Sequence, residues 1–169
     1  IITPKVGLSY IENMNFSKIV QQDYTLSSGL GGLHHGTNTV EMANAYSTLE
    51  NHGEYRQADC ISSILDASGN EIYEEPESKT VYTRSASDQM TDILEGVLNS
   101  SAGTAKGLKW SSASDVAAAA KTGTTNDNNV AWFCGYTPYY TISVWVGYDY
   151  PKSVKGLWGN TCLLYTSDA

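Results

Sequence analysis

Three strand-like runs follow one another between residues 116 and 148, with almost nothing between them. The first is Val116 to Thr125, the second Val130 to Tyr136 and the third Tyr140 to Tyr148. In the third, Tyr140, Ile142, Val144 and Val146 alternate with Thr141, Ser143 and Trp145, the period of a strand with two unlike faces. The links read "NDNN" and "TPY". A parallel crossover needs about a dozen residues or more, so links this short impose antiparallel neighbours. The second half of the chain is thereby committed to an antiparallel sheet.

Upstream, the period changes to that of helices. Thr3 is placed to cap a helix that accepts Pro4 in its first turn, with Val6, Tyr10, Ile11 and Met14 at helical spacing. After the glycine-rich stretch "SSGLGGLHHGTN", Asn38 is a second cap. Met42, Ala45, Tyr46 and Leu49 form the stripe behind it, and Gly53 closes the helix. Ile61, Ile64 and Leu65, then "DASGNE", then Ile72 and Tyr73, predict a hairpin. Ser85 and Asp88 resemble a capping box ahead of Met90, Ile93, Leu94, Val97 and Leu98. Helices and a hairpin followed by an antiparallel sheet make an α+β arrangement.

Composition excludes some functions. Ten basic residues stand against eighteen acidic ones, for a net charge of −8. Nucleic-acid binding rests on Lys and Arg meeting phosphates, so that partner is not expected. Cys60, Cys134 and Cys162 form no CxxC pair, which argues against zinc and against a disulfide framework. Adjacent His34 and His35 should point apart, with no third ligand spaced to join them, and no metal or cofactor is expected. His52 suits a helix C-terminus. Trp132, Phe133, Trp145 and Trp158 suit core or sheet-face packing better than a groove, and Cys134 suits a buried, inert thiol.

The first strand carries the chemistry. In Lys121-Thr122-Gly123-Thr124, the two threonines share one face and the lysine and glycine the other. Two hydroxyls on one face can donate to a single carboxylate, and the lysine adds a positive field. Gly123 removes a Cβ that would hold a ligand backbone away, so a peptide could lie alongside as an added strand. The N–H just past the glycine, that of Thr124, is placed to face a developing oxyanion. The plainer alternative is an edge lysine that discourages aggregation, beside threonines that merely suit a strand.

The flanks of that run carry a resemblance. "KTGTTNDNNVAWFCGYTPYYTISVWVGYD" resembles the end of the transpeptidase domain of class A, bifunctional penicillin-binding proteins. "GGLHHGTNTVEMANAYSTLENHGEY", "ISSILDASGNEIYE" and "AGTAKG" resemble that family's glycine-rich loop and helix, its hairpin, and its loop before the lysine strand. The resemblance implies the fold of penicillin-recognising serine enzymes, an antiparallel sheet flanked by helices, here incomplete at its N-terminal side. It implies acyl transfer through a serine ester, with stem peptides ending in D-alanyl-D-alanine and β-lactams as partners. It also implies a place on the extracytoplasmic face of the bacterial membrane, through an anchor outside this chain. Lys121, Thr122 and Gly123 then correspond to the third family motif, K-T/S-G. Thr122 and Thr124 would bind the substrate carboxylate, Lys121 would supply field and support proton transfer, and the Thr124 N–H would form half of an oxyanion hole.

The departures are as informative. No S-x-x-K occurs in the chain, and its S-x-N match, Ser68-Gly69-Asn70, falls in the expected hairpin turn. The nucleophile is therefore expected upstream of Ile1, residues 1–161 read as the C-terminal portion of one transpeptidase domain, and the chain alone is expected to be inactive. Val130 stands where relatives often carry an acid, and Ala120 where they often carry glycine. The closing "CLLYTSDA" leaves the family pattern and resembles sequencing-adapter read-through, which would make residues 162–169 non-native. A serine β-lactamase or β-lactam sensor, and a non-catalytic penicillin-binding-like module, are the competing readings.

Overall fold

The computed structural model describes residues 2–106, 108 and 116–159. Cys162 and the rest of "CLLYTSDA" lie outside the described residues. Helix α1 runs over Pro4–Asn13 and α2 over Thr39–Glu50. Strands β1 (Glu54–Tyr55) and β2 (Lys79–Thr80) form a small antiparallel pair, and α3 covers Arg84–Asn99. Strands β3 (Ala119–Thr124), β4 (Val130–Tyr136) and β5 (Thr141–Gly147) then build an antiparallel sheet in the order β3-β4-β5.

Local chemistry explains the helix starts. Thr3 Oγ1 accepts from the Val6 N–H at 3.4 Å, and Asn38 Oδ1 from the Glu41 N–H at 2.9 Å. Both caps are the ones the sequence predicts. The third is not. Thr83 caps α3, its Oγ1 accepting from the Ala86 N–H at 3.3 Å, two residues ahead of the expected Ser85–Asp88 box. Asp88 is instead taken up by His52, whose Nδ1 lies 2.8 Å from Asp88 Oδ1.

Two further expectations need correcting. The hairpin over residues 61–73 is reduced to a turn and one bridge, Leu65 to Glu71. Asp66 Oδ1 accepts from the Ser68 and Asn70 amides, which fixes the turn. Ile61, Ile64, Leu65 and Ile72 stay exposed, so no buried face holds a ladder together. In α1 the buried residues are Leu8 and, just past the helix, Met14, while Val6 is exposed and Tyr10 stacks on Tyr82 with ring centroids 5.3 Å apart.

The sheet has two different faces. Directly opposed residues share a face, so Thr122, Phe133 and Val144 line one side, and Lys121, Cys134 and Ser143 the other. The first side holds the main core: Ala120, Ala131 and Phe133 pack with Ala105 and Leu157, and with Val97, Leu98, Leu108, Val144, Val146 and Val154 around them. The second side takes the helices, with Leu94 of α3 on Ala119 and Tyr136, and Tyr46 and Leu49 of α2 beside them. Of the predicted α3 stripe, Met90 and Ile93 face outward.

Gly53 packs the turn after α2 against the segment that leads into α3. It sits at φ +95°, and a Cβ there would overlap the Tyr82 carbonyl. Its N–H bonds the Thr48 carbonyl, and its own carbonyl accepts from the Val81 and Tyr82 amides. Only glycine meets both demands.

Candidate active site at the free edge of strand β3

Among the described residues β3 is an edge strand, and the parity of its hydrogen bonds decides which groups it offers. The Thr125 N–H donates to the Val130 carbonyl at 3.0 Å. In an antiparallel pair, bonded and non-bonded positions alternate. With Thr124 opposite Ala131 and Lys121 opposite Cys134, the inward-bonding residues are Thr125, Gly123, Lys121 and Ala119. Ala120, Thr122 and Thr124 therefore aim their backbone groups at the free edge. The Lys121 side chain agrees: its Nζ donates to the Thr122 carbonyl at 2.5 Å, across that edge.

The turn that sets this parity is held by side chains. Thr125 Oγ1 accepts from the Asn129 and Val130 amides at 3.0 and 3.1 Å. Asn128 takes the left-handed backbone at φ +52°, which its short amide side chain tolerates. Its carbonyl accepts from the Val154 N–H at 3.0 Å, tying the segment after β5 to the turn.

That segment then crosses β3 on the threonine face. The Gly159 N–H donates to Thr124 Oγ1 at 3.0 Å. A Cβ on Gly159 would lie 2.9 Å from Thr122 Cβ and 3.1 Å from the Gly123 and Trp132 carbonyl oxygens. An N–H can only donate, so the Thr124 hydroxyl keeps its own proton for another acceptor. Thr122 Oγ1 lies 2.8 Å from Thr104 Oγ1. Lys121 and Thr124 are exposed, while Thr122 and Gly123 are half-buried. A Cβ on Gly123 would make ordinary contact with Trp132 Cβ at 3.5 Å, so that face of β3 is close to its neighbour.

The five groups singled out in the sequence thus lie on one strand: an ammonium, two hydroxyls, a side-chain-free position and an outward amide. Sequence reasoning named neither Thr104 nor Gly159. The "AGTAKG" loop was visible as a motif, but nothing in it announces a partner 18 residues further along.

Other candidates resolve as structure. Cys134 is buried and 3.5 Å from Ser143 Oγ, and burial pushes its thiol up. His34 and His35, expected to point apart, meet edge to face with ring centroids 4.6 Å apart. The nearby Asp23 is buried and its carboxyl is held low by the His34 and Val20 amides, at 2.6 and 2.8 Å. Phe133 is core, but Trp145 and Trp158 are exposed rather than packed in. A cleft of about 430 Å³ opens at the other end of β3, around Ala117–Ala119, between Glu50, Asp88, Asp92 and Glu95. It lies away from Lys121 and contains none of the K-T-G-T residues. Among the described residues, no helix is long and apolar enough to cross a membrane.

Comparison with known proteins bears on what such an edge belongs to. The penicillin binding protein transpeptidase domain matches residues 9–157. This chain belongs to the penicillin-binding protein transpeptidase family. Among curated relatives, penicillin-binding protein 4 of Bacillus subtilis is 36% identical over 152 residues, covering 89% of this chain and 24% of its own length. Penicillin-binding protein 1A of Clostridium botulinum is 35% identical over 167 residues, covering 95% of this chain and 20% of its own. Among solved structures, penicillin-binding protein 1A of Haemophilus influenzae superposes with a TM-score of 0.74 at 18% identity, over 92% of this chain and 28% of that one. PonA1 of Mycobacterium tuberculosis in complex with penicillin V gives a TM-score of 0.61 at 26% identity, over 90% and 42%. The expected α+β transpeptidase fold is therefore present. The homologues of this chain are class A penicillin-binding proteins, and the chain spans about a quarter or less of the length of the two relatives compared.

Proposed function

We propose that this chain supplies the substrate-binding wall of a peptidoglycan D,D-transpeptidase whose nucleophilic serine lies outside it. The observation that carries this is the free edge of β3, where the Thr122 and Thr124 hydroxyls and the outward Thr124 amide belong to one short run. A stem peptide ending in D-alanyl-D-alanine would lie along that edge as an added strand. Its terminal carboxylate would accept from the two hydroxyls, with the Lys121 ammonium adding charge. The serine hydroxyl would attack the penultimate carbonyl and pass its proton, through the site's bases, to the departing D-alanine nitrogen. The oxyanion formed in between would accept from the Thr124 N–H. An amine of a second stem would then take the acyl group and return the serine. A β-lactam would enter the same way, and its ring would open onto the serine.

With it goes the reading that residues 1–161 are one portion of a transpeptidase domain and that the whole protein works at the outer face of the bacterial membrane. Because no S-x-x-K occurs in the chain, a non-catalytic binding module is the second reading.

The test is covalent labelling. The full chain is fused behind an upstream transpeptidase segment carrying S-x-x-K and S-x-N, then treated with fluorescent penicillin. Denaturation-resistant label is expected in the fusion and none in the chain alone. Lys121→Ala should slow acylation by about 10²-fold or more, the scale of one preorganised electrostatic group. A folded fusion that takes no label would overturn the proposal, and so would label on the chain by itself.

A further inference from the structure

Thr104 stands in the loop after α3, outside the K-T-G-T run, yet its hydroxyl is 2.8 Å from that of Thr122. We propose that Thr104 is a positioning residue for carboxylate recognition, donating to Thr122 Oγ1 so that the Thr122 proton is left for the ligand. The inference rests on Thr122 and Thr124 binding a carboxylate, as proposed above.

The argument is one of proton count. A threonine hydroxyl has one proton and two lone pairs, and an ionised carboxylate only accepts. If Thr122 gives its proton to a carboxylate, it has none for Thr104, and the bond between them must run from Thr104 to Thr122. Each bond in such a chain polarises the next, so the pair strengthens the contact with the anion. Thr124 is served in the same way by a group that can only donate, the Gly159 N–H at 3.0 Å. Both hydroxyls of the wall thus have a donor behind them. That behind Thr124 is permanent, whereas that behind Thr122 depends on one side chain.

The loop is built to hold that side chain still. Gly103 is pressed on the end of α3, where a Cβ would overlap the Val97 carbonyl, and its N–H bonds the Ser100 carbonyl at 2.9 Å. Ala105 is fully buried, and its N–H donates to the Val97 carbonyl at 3.1 Å. Thr104 lies between these two anchored neighbours, so its hydroxyl meets Thr122 without a search through loop conformations.

The experiment compares a penicillin bearing its free carboxylate with the methyl ester of the same compound, as acylating agents of the fusion described above. Thr104→Val keeps the shape and removes the hydroxyl. It should slow acylation by the carboxylate about three- to tenfold, the value of one hydrogen bond in a charged chain, and leave the ester unchanged. Thr104→Ser should restore the carboxylate rate to within about twofold, because it restores the donor. Thr104→Ala, read by the same ratio, is the second variant if valine disturbs folding. Equal slowing of both compounds, or no slowing of either, overturns the inference by making Thr104 structural. If the unaltered fusion is acylated but does not prefer the carboxylate, the failure lies earlier, in the assignment of Thr122 and Thr124 as its ligands.

Discussion

Gly159→Ala should destabilise the protein, and the reason is spatial. The added Cβ would stand 2.9 Å from Thr122 Cβ and 3.1 Å from the carbonyl oxygens of Gly123 and Trp132. None of the three can swing aside. Thr122 Cβ is fixed to the backbone, and the two carbonyls belong to residues paired across the β3–β4 ladder. Forcing a methyl into such a site costs about 1–3 kcal/mol. The shift that relieves the contact also lengthens the 3.0 Å bond from the Gly159 N–H to Thr124 Oγ1. With a urea slope of roughly 2 kcal/mol per molar, the unfolding midpoint should fall by about 0.5–1.5 M at unchanged slope. Tryptophan fluorescence reports the transition through Trp132 and Trp145. Gly29→Ala is the control, because a Cβ there meets nothing within 4 Å. A Gly159→Ala midpoint indistinguishable from that of the control would refute the packing argument.

Three other outcomes are expected. Phe133→Ala empties the centre of the main core and should cost about 3–5 kcal/mol, read from the same urea titration. Gly53→Ala sets a side chain against the Tyr82 carbonyl at φ +95° and should lower stability by more than about 1 kcal/mol, with Gly29→Ala again unaffected. Asp23 contributes stability that depends on acid: the His34 and Val20 amides depress its folded pKa below the ordinary 3.8. That contribution is complete above 3.8 and is lost as pH falls through the folded value, so Asp23→Asn should flatten the acid limb of stability measured below pH 3.8.

The sheet was legible because its signals are local. Alternation and short links located β4 to the residue, and β3 and β5 to within a few residues at each end. The first two caps were legible for the same reason, since Thr3 and Asn38 reach only three residues forward. The hairpin is present only as its turn and one bridge, because Ile61, Ile64, Leu65 and Ile72 are exposed and no buried face extends the ladder. The α3 cap was placed two residues late because Thr83 caps without an acid at position 86 to complete a box, and Asp88, which suggested one at Ser85, meets His52, 36 residues away. In the site, the K-T-G-T run and its shared face were readable from parity alone. Thr104 and Gly159 were not, because they reach Thr122 and Thr124 only through the folded paths of two separate loops.

The bond between the Thr125 N–H and the Val130 carbonyl has a consequence for how this segment can vary. It acts as the phase reference for β3: every backbone group from Ala119 to Thr124 faces in or out according to its distance from that closure. The letters of "NDNN" can change wherever the backbone still accepts them, and the loop can lengthen as long as the closing pair is kept. What must be kept is the pairing of Thr125 with Val130. A slip of β3 by one residue against β4 would turn the Thr124 amide into the ladder and put Gly123 in its place at the edge, with Lys121-Thr122-Gly123-Thr124 still intact in the sequence. Any search for working members of this lineage should therefore check that pairing before it reads the motif.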